Sequence, residues 1–371
     1  SSKCLKILLS FSHYSMEIWH QKKTLMVASS VLVVALSSFV LLRQYAHASL
    51  IRGYRSLRDL VLVVDVLVSP SSGCPWNTSR SAVQYLQYTC EECDEALQEL
   101  SKLPGKVDTP MLTNELGDVL YAALVAIWKA ARQHGFQPAD ACKRAVEKVQ
   151  WRTPYMKQWG DGSCSVSSME EAQAIWKARK KLSMRSPTST IASLAGKVNL
   201  CSRACEYLTK AWMAQMHGGT LRVSGGFSNS YTLNNMLSAC MQLVFVVECL
   251  TQPGPEGCPW TQSMCAEDLL KFLKDECLEA TEELNAFSEE SMHLHETSHE
   301  HVISELGDVL FTIFMAIALA SRAHGISPPE VYKSAVHKLK WRTPYIPAWG
   351  NGTTVTTPDE AAAVWKAQKS K

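Results

Sequence analysis

From Val83 to Leu100 the apolar positions fall at Val83, Leu86, Cys90, Cys93, Leu97 and Leu100, in steps of three and four. That spacing draws one apolar stripe down an α-helix. A second stripe runs through Leu116, Val119, Leu120, Ala123, Leu124 and Ile127. Both stripes return later in the chain, first as Leu270, Leu273, Cys277, Ala280 and Leu284, then as Leu306, Val309, Leu310, Ile313, Phe314 and Ile317. Strand-type alternation of period two is nearly absent, so the pattern predicts an all-α protein made of helical bundles.

The return is a duplication. "GCPW" at Gly73 recurs at Gly257, "ELGDVL" at Glu115 recurs at Glu305, and "KVQWRTPYMKQWGDG" at Lys148 becomes "KLKWRTPYIPAWGNG" at Lys338. The closing block, "EEAQAIWKARK" at Glu170, becomes "DEAAAVWKAQK" at Asp359. The blocks keep their order at offsets of 184, 190 and 189 residues, so length changes fall between them. The expected organisation is an N-terminal targeting or anchor segment over 1–56, a first repeat over 57–181, a Ser/Gly-rich linker over 182–235 with one helix around Cys201 to Met216, and a second repeat over 236–371.

One stretch departs from the globular pattern. Residues 24–42 carry no charge between Lys22-Lys23 and Arg43, a length that just spans a bilayer as a helix. An Ala-x-Ala site at Ala46 and Ala48 offers cleavage as a signal instead, with Met16 as a natural start of the leader. Basic residues flank both sides, so the positive-inside rule leans only weakly to a cytosolic C-terminal side. The expectation is a membrane anchor with both repeats facing the cytosol, the alternative being delivery into an organelle after cleavage. Elsewhere composition is globular: 371 residues, 46% hydrophobic, 19% charged, net charge +2. No field strong enough for a nucleic acid polymer follows from that charge. Thirteen scattered cysteines read as small buried hydrophobes of a reducing compartment.

Acids stand at helical spacing on the apolar segments. Glu92 and Glu95, three apart, project from one face of the first helix, and Glu115 and Asp118 from one face of the next. Folded back antiparallel, the two helices bring four carboxylates face to face; Glu276, Glu279, Glu305 and Asp308 repeat the set. Gly117 and Gly307 lie inside these helices, where glycine costs about 1 kcal/mol against alanine unless its missing side chain admits a close neighbour. A solvated acid face compensating the helix dipole would explain one such pair. Two paired sets, duplicated together, point instead to a cation between them, and all-oxygen ligands favour Mg²⁺. Lys148 and Arg152, like Lys338 and Arg342, are four apart and offer a point charge and a planar fork to a polyphosphate. Trp176 with Lys180, and Trp365 with Lys369, suit a nucleotide's ring and charge.

The ordered set of GCPW, the paired acids, ELGD, the Lys-x-x-x-Arg pair and Trp-x-x-x-Lys resembles the MazG-type, all-α nucleoside triphosphate pyrophosphohydrolases, in two tandem copies covering about residues 57 to 181 and 236 to 371. The resemblance implies a helical bundle working as a dimer or, here, an intramolecular pseudo-dimer, and Mg²⁺-dependent cleavage of a (deoxy)nucleoside triphosphate to monophosphate and pyrophosphate. It further implies that Glu92, Glu95, Glu115, Asp118, Glu276, Glu279, Glu305 and Asp308 are the metal ligands. The mechanism expected on this basis is in-line attack of water, with Glu92 and Glu276 taking its proton.

Departures from the family's pattern are Asn77 and Thr261 where an acid usually follows GCPW, read as helix caps, and WRTP in place of a histidine-rich block, which bears on substrate choice. Cys90 and Cys93 form a CxxC, but the second copy has Lys274 and Cys277, which argues against zinc. His134 and His324 each precede a glycine where a helix is expected to end, and are read as capping. A prenyl-diphosphate enzyme would need DDxxD, which is missing, and a di-iron bundle would need Glu-x-x-His in each copy, whereas none of the duplicated glutamates has a histidine three residues on. A membrane-tethered nucleotide sensor without turnover is the non-enzymatic alternative.

Overall fold

The computed structural model describes residues 53–102, 107–160, 162, 164–183, 230–289 and 295–370. The apolar run at 24–42, its basic flanks and the helix expected around Cys201 lie outside them. Residues Tyr54–Lys371 form one compact unit, so both repeats share a single body.

Twelve helices and no strand occur among the described residues. In the first repeat they are α1 (53–67), α2 (Pro75–Ser79), α3 (Ala82–Leu100), α4 (Thr109–His134), α5 (Pro138–Arg152) and α6 (Met169–Ser183). The second repeat follows the same order: α7 (Ser230–Thr251), α8 (Pro259–Gln262), α9 (Ala266–Glu289), α10 (His295–His324), α11 (Pro328–Arg342) and α12 (Pro358–Lys369). The helix α7 starts within the stretch read as linker, because Met236, Leu237, Cys240 and Leu243 form a buried stripe that has its counterpart in α1 rather than in the recurring blocks.

Local chemistry sets the helix ends. Ser81 caps α3 in a reciprocal box with Gln84, and Asp108 caps α4 by accepting from the Met111 backbone N–H. The helix α4 closes on Gly135 at φ 76°, and Gly325 after α10 has φ 69°, the left-handed conformation glycine adopts without strain. The predicted stripes of α4 and α10 are buried throughout, and each fully buried leucine contributes about 1.5–3 kcal/mol.

The hairpins α3–α4 and α9–α10 pack on each other to form the centre of the body, α3 against α9 and α4 against α10. The following helix of each repeat then crosses over. The helix α5 lies on α7 and α10 of the second repeat, and α11 lies on α4 of the first. Glycine makes both crossings possible: a Cβ on Gly307 would stand 2.5 Å from the Ala141 carbonyl oxygen, and one on Gly117 would stand 3.0 Å from that of Val331. Gly307→Ala is therefore expected to lower stability by about 1–3 kcal/mol despite its better helix propensity, and by more than Gly117→Ala does. Thermal unfolding of the two variants measures the difference.

Among the described residues three helical stretches, Thr109–His134, Thr232–Thr251 and His299–His324, are long and apolar enough by length and composition to cross a membrane. All three pack within this body, and the first and third carry Glu115 and Asp118, and Glu305 and Asp308, of the candidate site.

Candidate active site

The helix hairpins bring the expected carboxylates together. Glu92, Glu95 and Glu115 each place a carboxylate oxygen within 4.8 Å of the others, and Glu276, Glu279 and Glu305 do the same. The fourth acid of each set meets a lysine of the other repeat. Lys338 Nζ donates to Asp118 Oδ2 at 2.5 Å. Lys148 Nζ donates to Asp308 Oδ2 at 2.5 Å and to Ser304 Oγ at 2.7 Å, with Glu305 at 3.9 Å. Each site thus combines acids of one repeat with cations of the other, a direct consequence of the α5 and α11 crossings.

Burial and mutual repulsion disfavour charge on these acids. Burial, then Asp118, Glu95 and Glu115, push Glu92 up to about 7. Burial, then Asp308, Glu279 and Glu305, push Glu276 up to about 8. Glu115, Asp118 and Glu305 are raised chiefly by burial, against the pull of the neighbouring lysine. Crowded oxygen-only donors that resist ionisation together are what a divalent cation would relieve, so the residues present fit a hard metal ion.

Arg152 and Lys148 are buried beside the second acid set, and burial lowers the Arg152 pKa against the attraction of Asp308, Glu305 and Glu276. The guanidinium of Arg152 lies 5.2 Å from the ring centre of Trp176, and that of Arg342 lies 5.0 Å from Trp365. Trp176 in turn meets Trp260 of the second repeat edge-on at 5.4 Å. At the first site a cavity of about 560 Å³ opens beside Glu92, Glu95, Glu115 and Asp118 and is also lined by Lys338, Arg342, Trp365 and Lys369. Lys180 is exposed on α6.

The cap reading of Asn77 and Thr261 is corrected. The N-caps of α2 and α8 are Cys74 and Cys258, with prolines at the first helical position, and Asn77 and Thr261 lie inside those helices with buried side chains. Asn77 Oδ1 accepts from Tyr85 at 2.6 Å, and its Nδ2 donates to Tyr121 at 2.9 Å. These three residues line the first cavity and were missed from the sequence. Their signal lies in the duplication itself, since the second copy has Thr261, Leu269 and Phe311 at the same places. Cys90, Cys93 and Cys277 are free thiols, and no disulfide occurs among the described cysteines.

The body is thus all-α and two-fold repeated, with paired acid clusters that each meet basic and aromatic groups across the repeat boundary. Residues 80–157 and 265–346 match the MazG nucleotide pyrophosphohydrolase domain. The chain carries two MazG-type domains in tandem. It is similar to the nucleoside triphosphate pyrophosphohydrolase of Escherichia coli (strain K12), 29% identical over 121 residues that cover 33% of this chain and 43% of the relative. It is also similar to the nucleoside triphosphate pyrophosphohydrolase/pyrophosphatase MazG of Thermotoga maritima, 29% identical over 126 residues covering 34% and 47%. The uncharacterized protein YabN of Bacillus subtilis is 27% identical over 93 residues, covering 25% of this chain and 17% of its own. The chain spans less than half the length of these relatives. No solved structure matches it.

Proposed function

We propose that this protein hydrolyses (deoxy)nucleoside triphosphates to monophosphate and pyrophosphate at two Mg²⁺-dependent sites, in a role such as cleansing of the nucleotide pool. The observation that carries this reading is the cluster of three carboxylates within 4.8 Å, faced by a lysine and an arginine of the opposite repeat and opening on an aromatic cavity. Glu92, Glu95, Glu115 and Asp118 would hold the cation at the first site, and Glu276, Glu279, Glu305 and Asp308 at the second. Bound there, Mg²⁺ supplies charge neutralisation of the triphosphate. Lys338 with Arg342, and Lys148 with Arg152, bind and orient the phosphates, and Trp365 and Trp176 shield the nucleotide from water. Glu92 and Glu276 take the proton of the attacking water as the bond to the departing pyrophosphate breaks. Pyrophosphate release on mixing the protein with Mg²⁺ and each nucleoside triphosphate in turn tests the reading. No release with any of them, alongside measurable nucleotide binding, would identify a sensor instead.

The raised carboxyl pKa values give a second test. With Glu92 and Glu276 lifted from 4.5 to about 7 and about 8, the metal-free folded chain holds protons that the unfolded chain has lost. Its stability therefore falls as pH rises from about 4.5 to about 8. A divalent cation replaces those protons, and at a hundredfold excess over its dissociation constant it adds about 2.7 kcal/mol per site. Melting of chelator-treated protein at pH 5 and pH 8 should show the lower Tm at pH 8, and added Mg²⁺ should raise Tm more at pH 8 than at pH 5. An unchanged Tm at pH 8 would remove the metal site from the proposal.

Residues 24–42 are proposed to anchor the chain in a membrane with both repeats in the cytosol, where nucleoside triphosphates and Mg²⁺ are abundant. The support is the length of the uncharged run and the free thiols of the body, which suit a reducing compartment. After carbonate extraction the protein should stay in the pellet and be digested by protease without detergent. A soluble, shortened and protected form starting near Ser49 would show delivery into an organelle.

A further inference from the structure

The two sites carry the same acids and cations but different walls. At the first, Asn77 is buried and clamped by two phenols, its Oδ1 accepting from Tyr85 and its Nδ2 donating to Tyr121. Each contact uses half of what the amide offers, so one N–H and one lone pair remain in a fixed orientation. Tyr121 stands three residues beyond Asp118 on α4, and Tyr85 seven residues before Glu92 on α3. At 1.5 Å per residue the clamped amide lies roughly 5–10 Å along the cavity from the carboxylates, the distance a nucleoside spans between its phosphate and its base.

At the second site Thr261, Leu269 and Phe311 stand where Asn77, Tyr85 and Tyr121 are, so amide and phenols are lost together. Thr261 and Thr312, the latter in place of Ala122, leave only hydroxyls that rotate. Gln173 stands where Ala362 lines the first cavity, a longer amide side chain without the two phenols.

We propose that the sites have diverged in substrate: the first reads the hydrogen-bonding edge of the base through Asn77, oriented by Tyr85 and Tyr121, and the second selects by shape and stacking. This rests on the pyrophosphohydrolase reading and names the substrate feature that the first site takes, an adjacent donor and acceptor on the base edge. Replacing an exocyclic amino group by a carbonyl inverts that pair. Cytidine against uridine triphosphate, and adenosine against inosine triphosphate, are therefore the probes.

The experiment measures kcat/KM for these four nucleotides on the full chain with one site silenced, by Asp308→Asn to read the first site and by Asp118→Asn to read the second. At the first site the ratio within at least one pair should differ from unity by about tenfold or more, and at the second both ratios should stay within about threefold. Asn77→Ala in the Asp308→Asn protein should bring the first site's ratio to the second site's value. Tyr121→Phe keeps the ring and loses the hydroxyl, so it should move the ratio the same way by a smaller factor, through KM more than kcat, even where Asn77→Ala fails to fold. Equal ratios at the two sites, a ratio untouched by both variants, or a first site inactive on its own would overturn the divergence while leaving pyrophosphohydrolysis standing. No pyrophosphate from the unaltered chain would instead remove the function on which the divergence rests.

Discussion

Asp118→Asn combined with Lys148→Ala should abolish pyrophosphate release, whereas Asp118→Asn combined with Lys338→Ala should leave about the activity of one site. The first pair hits both sites, because Lys148 donates to Asp308 while Asp118 belongs to the other acid set. The second pair hits one site twice, since Lys338 and Asp118 touch at 2.5 Å. Removing one charge-stabilising group from such a site costs on the order of 10²–10³-fold in turnover, so a site damaged once is already nearly silent, and an untouched site, where one remains, dominates what is measured. Asp118→Asn or Asp308→Asn alone should leave partial activity, and the two together almost none. Were the cations to serve their own repeat, the outcomes of the two lysine combinations would be exchanged. Steady-state pyrophosphate release on the purified full chain, checked for unaltered Tm, decides between the arrangements.

Most of the architecture was legible because it rests on local periodicity. The stripes through Leu116 and Leu306 predicted buried helices, and the three-residue spacing of Glu92 with Glu95 and of Glu115 with Asp118 predicted carboxylates on facing surfaces. Gly117 and Gly307 announced a close neighbour, but not which one. Their neighbours, Val331 and Ala141, come from the opposite repeat, and sequence spacing holds no information on which copy of a duplicated helix will pack where. The same limit hid the pairing of Lys148 with Asp308, two residues 160 apart. Asn77 was misread because asparagine is a common cap, although Pro75 at the first helical position puts the cap before it at Cys74, and only the fold shows two tyrosines from α3 and α4 converging on Asn77.

The exchange of helices also fixes what half of the molecule can do. Residues 230–371 produced alone would keep α7, α9 and α10 but lose α5, which in the whole chain covers α7 and α10 and brings in Lys148 and Arg152. That leaves an apolar face with Asp308 unpaired at its edge. The helix α11 of a second copy can fill the gap, because Val331, Ala335, Lys338 and Arg342 stand in α11 where Ala141, Ala145, Lys148 and Arg152 stand in α5. The half-protein should therefore be a two-fold homodimer whose activity per chain falls on dilution. Within it, Asp308→Asn and Lys338→Ala should each silence both sites, since a symmetric dimer carries every substitution twice. Mixing the two variants, however, should restore about a quarter of the unaltered activity, because half of the dimers are mixed and one of their two sites is intact. Sedimentation and pyrophosphate release on the mixture measure both outcomes. A stable monomer of residues 230–371 with full activity, or no recovery on mixing variants that do dimerise, would show that a site needs nothing from the opposite repeat.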